Sequence, residues 1–408
     1  MSEFDAGMRA RGNGPAGCGW LASAAALIAL LGPGQAAASA GLDSLDCPTI
    51  DQTTCPALAR ALERPDVTVA ELGAWLAHAP ADGIKLRRAA AVLGIIGGDT
   101  ARGHLEQAAK RHAAGAFAVD LQAAAARAGS TSARDGLVQS ARSGDTRIRL
   151  VALSTLASLR HPEAAALARA ALDATDARLA ATAARALGKV GTGEDGARLL
   201  ALVRGADTPA SVRRAALWAM ARLKDTSGML EATQLVTHPA ASVANAALEL
   251  LAVAPPVWSS PAIRWALEQP ALQQAAALPA AAMKDETVSG VALRAAVVPG
   301  VPLARYRALI DAAASAPVAG AAARLLDHAE TLDEAGKVAT LRTVARMNDR
   351  SVVPRLVESL VSARSQVANF TVYALEALTG ERLGGDLQAW RAWLRGSKPA
   401  RPDAPPSP

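Results

Sequence analysis

Six alanines recur in register along this chain, each four residues past an apolar anchor. They are Ala90 after Leu86, Ala123 after Val119, Ala152 after Ile148, Ala183 after Leu179, Ala216 after Val212 and Ala247 after Val243. The anchors stand 29 to 33 residues apart, the period of stacked two-helix repeats. A unit of that size cannot bury its apolar face alone, so successive units must stack. A side chain larger than alanine would hold apart helices that have to approach closely in every unit. The register therefore predicts an all-α fold, an α-α superhelix.

Composition agrees. The chain has 408 residues, of which 51% are hydrophobic but only 3% aromatic, so its apolar content is mostly alanine and leucine, both strong helix formers. Valine and isoleucine nowhere form the long alternating runs of a strand. The net charge of +6 is small for the length, and its basic residues are spread among acids. That pattern describes a solvated repeat surface and gives no nucleic-acid partner.

The first forty residues read as an export signal. Arg9 and Arg11 precede an apolar stretch from Trp20 to Leu31, followed by Gly32-Pro33-Gly34 and an A-x-A site at Ala38 and Ala40. Cleavage after Ala40 leaves Gly41 first and places the protein in the periplasm or outside the cell. The apolar stretch is too short for a permanent transmembrane helix. Glu3 and Asp5 are unusual before such a signal, and initiation at Met8 would give a more conventional one. Cys18 lies before the apolar core, which does not suit a lipid-bearing cysteine. Cys47 and Cys55 remain, each followed by proline. In an oxidising compartment this pair reads as a disulfide, closing a small ring that restricts the unfolded chain by about 2.5 kcal/mol.

Residues 41–81 read as an N-terminal helical cap. Pro56 opens a short helix ending near Arg64-Pro65, and Thr68 with Glu71 has the pattern of a capping box opening a second helix through Trp75 and Leu76. Regular units occupy 82–255. The segments KLRRAAAVLGIIG, RIRLVALSTLASL, RLAATAARALGKVG and SVRRAALWAMARL are variants of one amphipathic helix. Asp145, Asp176 and Thr208-Pro209 mark helix starts, and Gly97 and Gly191 mark helix ends.

The run Val212-Arg213-Arg214-Ala215-Ala216-Leu217, followed by Ala221-Arg222-Leu223-Lys224-Asp225, resembles the HEAT-repeat family. The likeness is to the short bacterial repeats also found in phycobilisome lyase-like proteins. It covers 82–255 and 336–395, and it implies a solenoid that serves as a scaffold or protein-binding platform. The family's ladder of an aspartate before the second helix and an arginine inside it would place Asp145 with Arg149 and Asp207 with Arg213. The ladder is incomplete, since Ala180 and Ala244 stand at the arginine position of two units.

From 256 to 335 the register fails, and Pro261, Pro270, Pro279, Pro299, Pro302 and Pro317 punctuate alanine-rich segments. Shorter helices are expected there, forming either a bend in the stack or a partner-binding insertion. In 336–395 regularity returns: Val367 aligns with Val212, Tyr373 with Trp218 and Leu378 with Leu223. Gly380 ends that helix and Asp386 caps a last one, whose Trp390 and Trp393 share a face and cover the final repeat. Residues 396–408 form a proline-rich tail that is expected to be disordered.

Candidate chemistry is sparse. None of the six histidines is followed by glutamate, which removes the iron-binding dyads of the HEAT-type deoxyhypusine hydroxylases. His104 and His112 lie eight apart but lack further ligands at metal spacing. His161-Pro162 and His238-Pro239 belong to turns. Gly191-Thr192-Gly193 follows a helix, unlike a phosphate-binding loop. No catalytic residue, cofactor or metal is assigned. The candidates for partner binding are Arg87, Arg88, Arg213, Arg214 and Trp218, with Trp258 and Trp265 as further anchors if the concave face exposes them. The expectation is an exported, non-catalytic scaffold or adaptor holding a protein partner on its concave surface. The alternatives are a bilin-lyase-like enzyme or small-molecule-binding factor, which export disfavours, and a cell-envelope structural component.

Overall fold

The computed structural model describes residues 56–79, 84–115, 117–361 and 365–396. Cys47, Cys55, the export segment and the tail beyond Gly396 lie outside them. The described residues form 22 α-helices and no strand, and none of these helices is long and apolar enough to cross a membrane. The chain divides into two compact units, with the boundary between Thr155 and Leu156.

The first unit contains α1 (Pro56–Glu63), α2 (Pro65–Leu76), α3 (Ile84–Ile96), α4 (Gly98–Arg111), α5 (Ala118–Arg127), α6 (Thr131–Ser140) and the greater part of α7 (Thr146–Ser158). Helix α3 packs beside α5, and α4 packs on both α2 and α5. Helix α2 begins at Pro65 rather than at Thr68. Proline at the first helical position needs no amide hydrogen, and Thr68 sits inside the helix with its hydroxyl donating to the Arg64 carbonyl at 3.0 Å. Arg111 of α4 donates to the carbonyls of Leu76 and Ala77 and so caps the end of α2.

The second unit alternates first and second helices of each repeat. Its pairs are α8 (Ala164–Ala171) with α9 (Ala177–Val190), α10 (Gly196–Arg204) with α11 (Ala210–Leu223), and α12 (Met229–Leu235) with α13 (Ala241–Leu251). They continue as α14 (Ser260–Glu268) with α15 (Gln273–Met283), α16 (Glu286–Ala296) with α17 (Leu303–Ala313), and α18 (Ala321–Ala329) with α19 (Glu334–Val344). Finally α20 (Val353–Ser359) pairs with α21 (Ser365–Thr379), and α22 (Leu387–Leu394) packs on α20. The second helices also pack on one another in succession, α9 through α21, to form one continuous layer.

The pairing runs without a break through 256–335. Pro261 occupies the first turn of α14 and Pro302 the cap of α17, positions where a missing amide hydrogen costs little. Pro279 differs, lying buried inside α15. The second helices α15 and α17 have 11 residues each, against 14 in α9 and α11.

All six register alanines are buried to 1% exposure or less. The close approach they permit is visible at neighbouring glycines. A Cβ on Gly94 would lie 3.0 Å from the Ala124 backbone, and one on Gly188 would lie 2.8 Å from the Ala219 Cα. Replacing Ala216 by leucine should therefore overpack the contact of α11 with its neighbours. We expect a loss of about 1–3 kcal/mol, read as a lower urea midpoint.

Inter-repeat ion pairs occupy a different place from the family ladder. The Asp145 carboxylate caps α7, accepting from the amides of Arg147 and Ile148 at 2.7 and 3.1 Å. Arg213 points to the end of α10, donating to the carbonyls of Val203 at 3.1 Å and Gly205 at 2.6 Å. Several of the pairs instead join the first-helix regions of successive repeats. Arg169 meets Asp195 at 2.6 Å, Arg198 meets Asp173 at 2.7 Å and Arg204 meets Glu231 at 2.7 Å. Farther along, Arg355 meets Asp327 and Glu330, and Arg391 meets Glu358 at 2.9 Å. Most of these arginines are well solvated, so such pairs set register more than they add stability.

Candidate groove on the second-helix layer

In the second unit, position six past the anchor emerges on the solvent side of the second-helix layer, whereas in the first unit Val92 and Ala125 hold it buried. In three consecutive repeats it is Arg185, Trp218 and Glu249, on α9, α11 and α13. These three line a groove of about 310 Å³ together with Arg214, Ser242 and Asn245. Trp218 can lie flat because Gly188 faces it: a Cβ there would come within 2.7 Å of the indole. Arg222, one helical turn on, stands 5.8 Å from the centre of the Trp218 ring and holds it by a cation–π contact.

The groove is electrostatically unsettled. Burial and the neighbouring charge of Arg214 both lower the pKa of Arg185. Burial raises that of Glu249. Asn245 Oδ1 is shut off from solvent and has no hydrogen-bond donor, a cost of about 1–3 kcal/mol unless something supplies one. Two guanidinium groups, an indole face and an unsatisfied acceptor thus meet in one place. Such a surface can clamp a peptide through charge, stacking and hydrogen bonds.

The candidates from the sequence separate in the structure. Arg214 and Trp218 meet in this groove, whereas Arg213 turns away to the α10 carbonyls and also stands 3.5 Å from His238 Nε2. In the first unit Arg87 pairs with Asp120 at 3.2 Å, and Arg147 meets the same carboxylate at 2.6 Å. Arg88, half-buried beside it, is also engaged. Trp258 and Trp265 are 52% and 39% exposed, but they belong to the first-helix side, before and within α14. Sequence reasoning missed Arg185 and Glu249. Their signal was the recurrence of position six, visible only once the repeats are aligned.

The histidines have local roles. His161 Nδ1 accepts from the Glu163 amide at 3.3 Å and His238 Nδ1 from the Ala240 amide at 3.0 Å, so both cap the turns they occupy. The His104 ring packs against Gly73, and His112 is a buried residue just past α4. Among the described residues no three of His, Cys, Asp and Glu cluster in a way that could hold a metal ion.

Comparison with known proteins places part of this architecture. The family model described as HEAT repeats matches residues 134–221, a stretch that includes Arg185, Arg214 and Trp218. Residues 134–221 are similar to HEAT repeats. No curated protein matches the sequence. Among solved structures, human deoxyhypusine hydroxylase in complex with glycerol is similar at 14% identity. That match covers 71% of this chain and 98% of the other, with a TM-score of 0.27. An engineered protein is similar at 18% identity, covering 87% of this chain and 98% of its own, with a TM-score of 0.36. The HEAT match carries the groove's first two helices, α9 and nearly all of α11, and the same alternation of helices continues beyond it to α21. The HEAT match suggests a helical repeat scaffold of a kind that can mediate protein interaction.

Proposed function

We propose that this protein is an exported, non-catalytic scaffold that binds a protein partner across the second-helix layer of its second unit, anchored at the Trp218 groove. One observation carries the reading. Arg185, Trp218 and Glu249 hold the same register position in three consecutive repeats and open onto one groove. Repetition of a position on one face builds an extended surface, and the aromatic and arginine residues on it are the types that dominate binding energy. Export rests on the n-region, the apolar stretch and the Ala38–Ala40 site. In an oxidising compartment Cys47 and Cys55 would close as a disulfide.

The test is in vivo cross-linking of the tagged protein followed by affinity purification and mass spectrometry, with a signal-less cytoplasmic form as control. One envelope or extracellular protein should be enriched from the exported form alone. Trp218→Ala combined with Arg214→Glu should weaken its binding by about 30-fold or more, the effect of a hot-spot residue. If the purified protein instead carries a small molecule and enriches no partner, the scaffold reading falls.

A further inference from the structure

A second groove opens at the other end of the same layer, where α17, α19 and α21 lie side by side. It encloses about 580 Å³ and is lined by Arg307, Arg342, Arg346, Asp311, Phe370 and Tyr373, among others. Asp311, Arg342 and Tyr373 stand 31 residues apart in sequence, so the position that builds the Trp218 groove builds this one too.

Three arginines face a single carboxylate here. Asp311 is already bonded to Arg346. Arg307 is exposed and, among the described residues, has no ion-pair partner. Arg342 lies over the Phe370 ring at 4.5 Å from its centre. A guanidinium stacked in this way is fixed by its face, while the N–H groups along its edge stay free. That arrangement is pre-organised to accept a carboxylate with two parallel hydrogen bonds. Beside it, Phe370 and Tyr373 pack edge to face at 6.4 Å, and Tyr373 is half exposed. The groove therefore combines two uncompensated positive charges with an aromatic shelf.

We infer that this groove takes an acidic segment of a protein partner, its carboxylates on Arg307 and Arg342 and an apolar side chain against Tyr373. The inference rests on the scaffold reading and specifies the partner's chemistry at a site separate from Trp218. A nucleic acid would match the charge, but the single stacked fork and the aromatic pair are spaced for a short peptide. A phosphate backbone would call for a basic track along the layer, and Asp311 and Glu249 interrupt one.

The test uses the full chain and a short fluorescein-labelled peptide in which glutamates and aspartates flank a Leu-Phe pair, read by fluorescence anisotropy. Single-stranded DNA of matching charge serves as competitor. Arg307→Glu with Arg342→Glu should weaken peptide binding about tenfold or more. Asp311→Asn should tighten it about threefold by releasing Arg346, a gain that misfolding cannot produce. Arg198→Ala, on the first-helix side, should leave it unchanged. Peptide binding indifferent to the arginine and Asp311 changes would overturn the inference, as would DNA binding more tightly than the peptide. Either result would leave the scaffold reading to stand or fall on the partner's loss in Trp218→Ala.

Discussion

Trp390→Ala should detach α22 from the array and leave α20 unprotected, at a local cost of about 3–5 kcal/mol, the range for removing a buried aromatic. Trp390 is fully buried and is the one buried residue of its helix. Its indole N–H donates to the Gly384 carbonyl at 2.8 Å, and its ring meets Trp393 edge to face at 6.2 Å. The other attachment, Arg391 to Glu358 at 2.9 Å, is solvated and cannot substitute for the lost contact. An eight-residue helix is too short to persist without tertiary packing, so the tryptophan decides whether α22 is there at all. In a repeat array the effect stays near the damaged repeat, because each unit touches only its neighbours. Hydrogen exchange should show α20 and α22 amides losing protection while α9 to α13 keep theirs. Trp390→Phe should retain most of it. Unchanged protection of α22 in the alanine variant would show that the helix is held by something else.

That tryptophan was legible in the sequence because a cap helix has one face to cover and few residues to do it with. The register alanines were legible for a related reason, since a contact repeated in every unit forces the same small residue. Helix caps were readable where one aspartate had one task. Asp176 accepts from the amides of Arg178 and Leu179, as its place before α9 suggests. Reading failed where two mechanisms competed for one residue. Thr68 has the look of a helix cap, yet Pro65 opens the helix a turn earlier. Arg213 has the spacing of a ladder arginine, yet three carbonyls at the end of α10 claim its guanidinium.

The groove was half legible. Arg214 and Trp218 are four apart on one helix and could be paired by eye. Arg185 and Glu249 come from neighbouring repeats and join them only through stacking, which no local pattern announces. The division between the two units at Thr155 and Leu156 falls inside a helix, where the repeat register gives no mark.

The carboxylate with most to lose is Asp195, and its loss should be pH-dependent. Its side chain is 3% exposed and accepts from Arg169 Nε at 2.6 Å and Nη2 at 3.1 Å. It also accepts from the Thr192 amide at 2.9 Å, completing a capping box at the turn that leads into α10. Gly191 has to be glycine beside it, because a Cβ would lie 2.8 Å from Asp195 Oδ2. Asp195→Ala should cost about 2–3 kcal/mol, the upper part of the range for hydrogen bonds to a charged group. It should stay below the full penalty of a broken buried pair, because Arg169 is 37% exposed and water can take it back. The hydrogen bond from Arg169, ahead of the amide of Thr192 and the charges of Arg169 and Arg198, holds the Asp195 carboxyl below its ordinary pKa against the opposing effect of burial. A carboxylate depressed in the folded state stabilises the fold above its unfolded pKa, near 3.9, and that stability disappears as pH falls through the depressed value. Urea midpoints of the parent and the alanine variant should therefore differ fully at pH 7 and converge below about pH 4. A gap that persists undiminished at low pH would mean that Asp195 acts through shape and packing, and that the charge-assisted clamp between α8 and α10 contributes little.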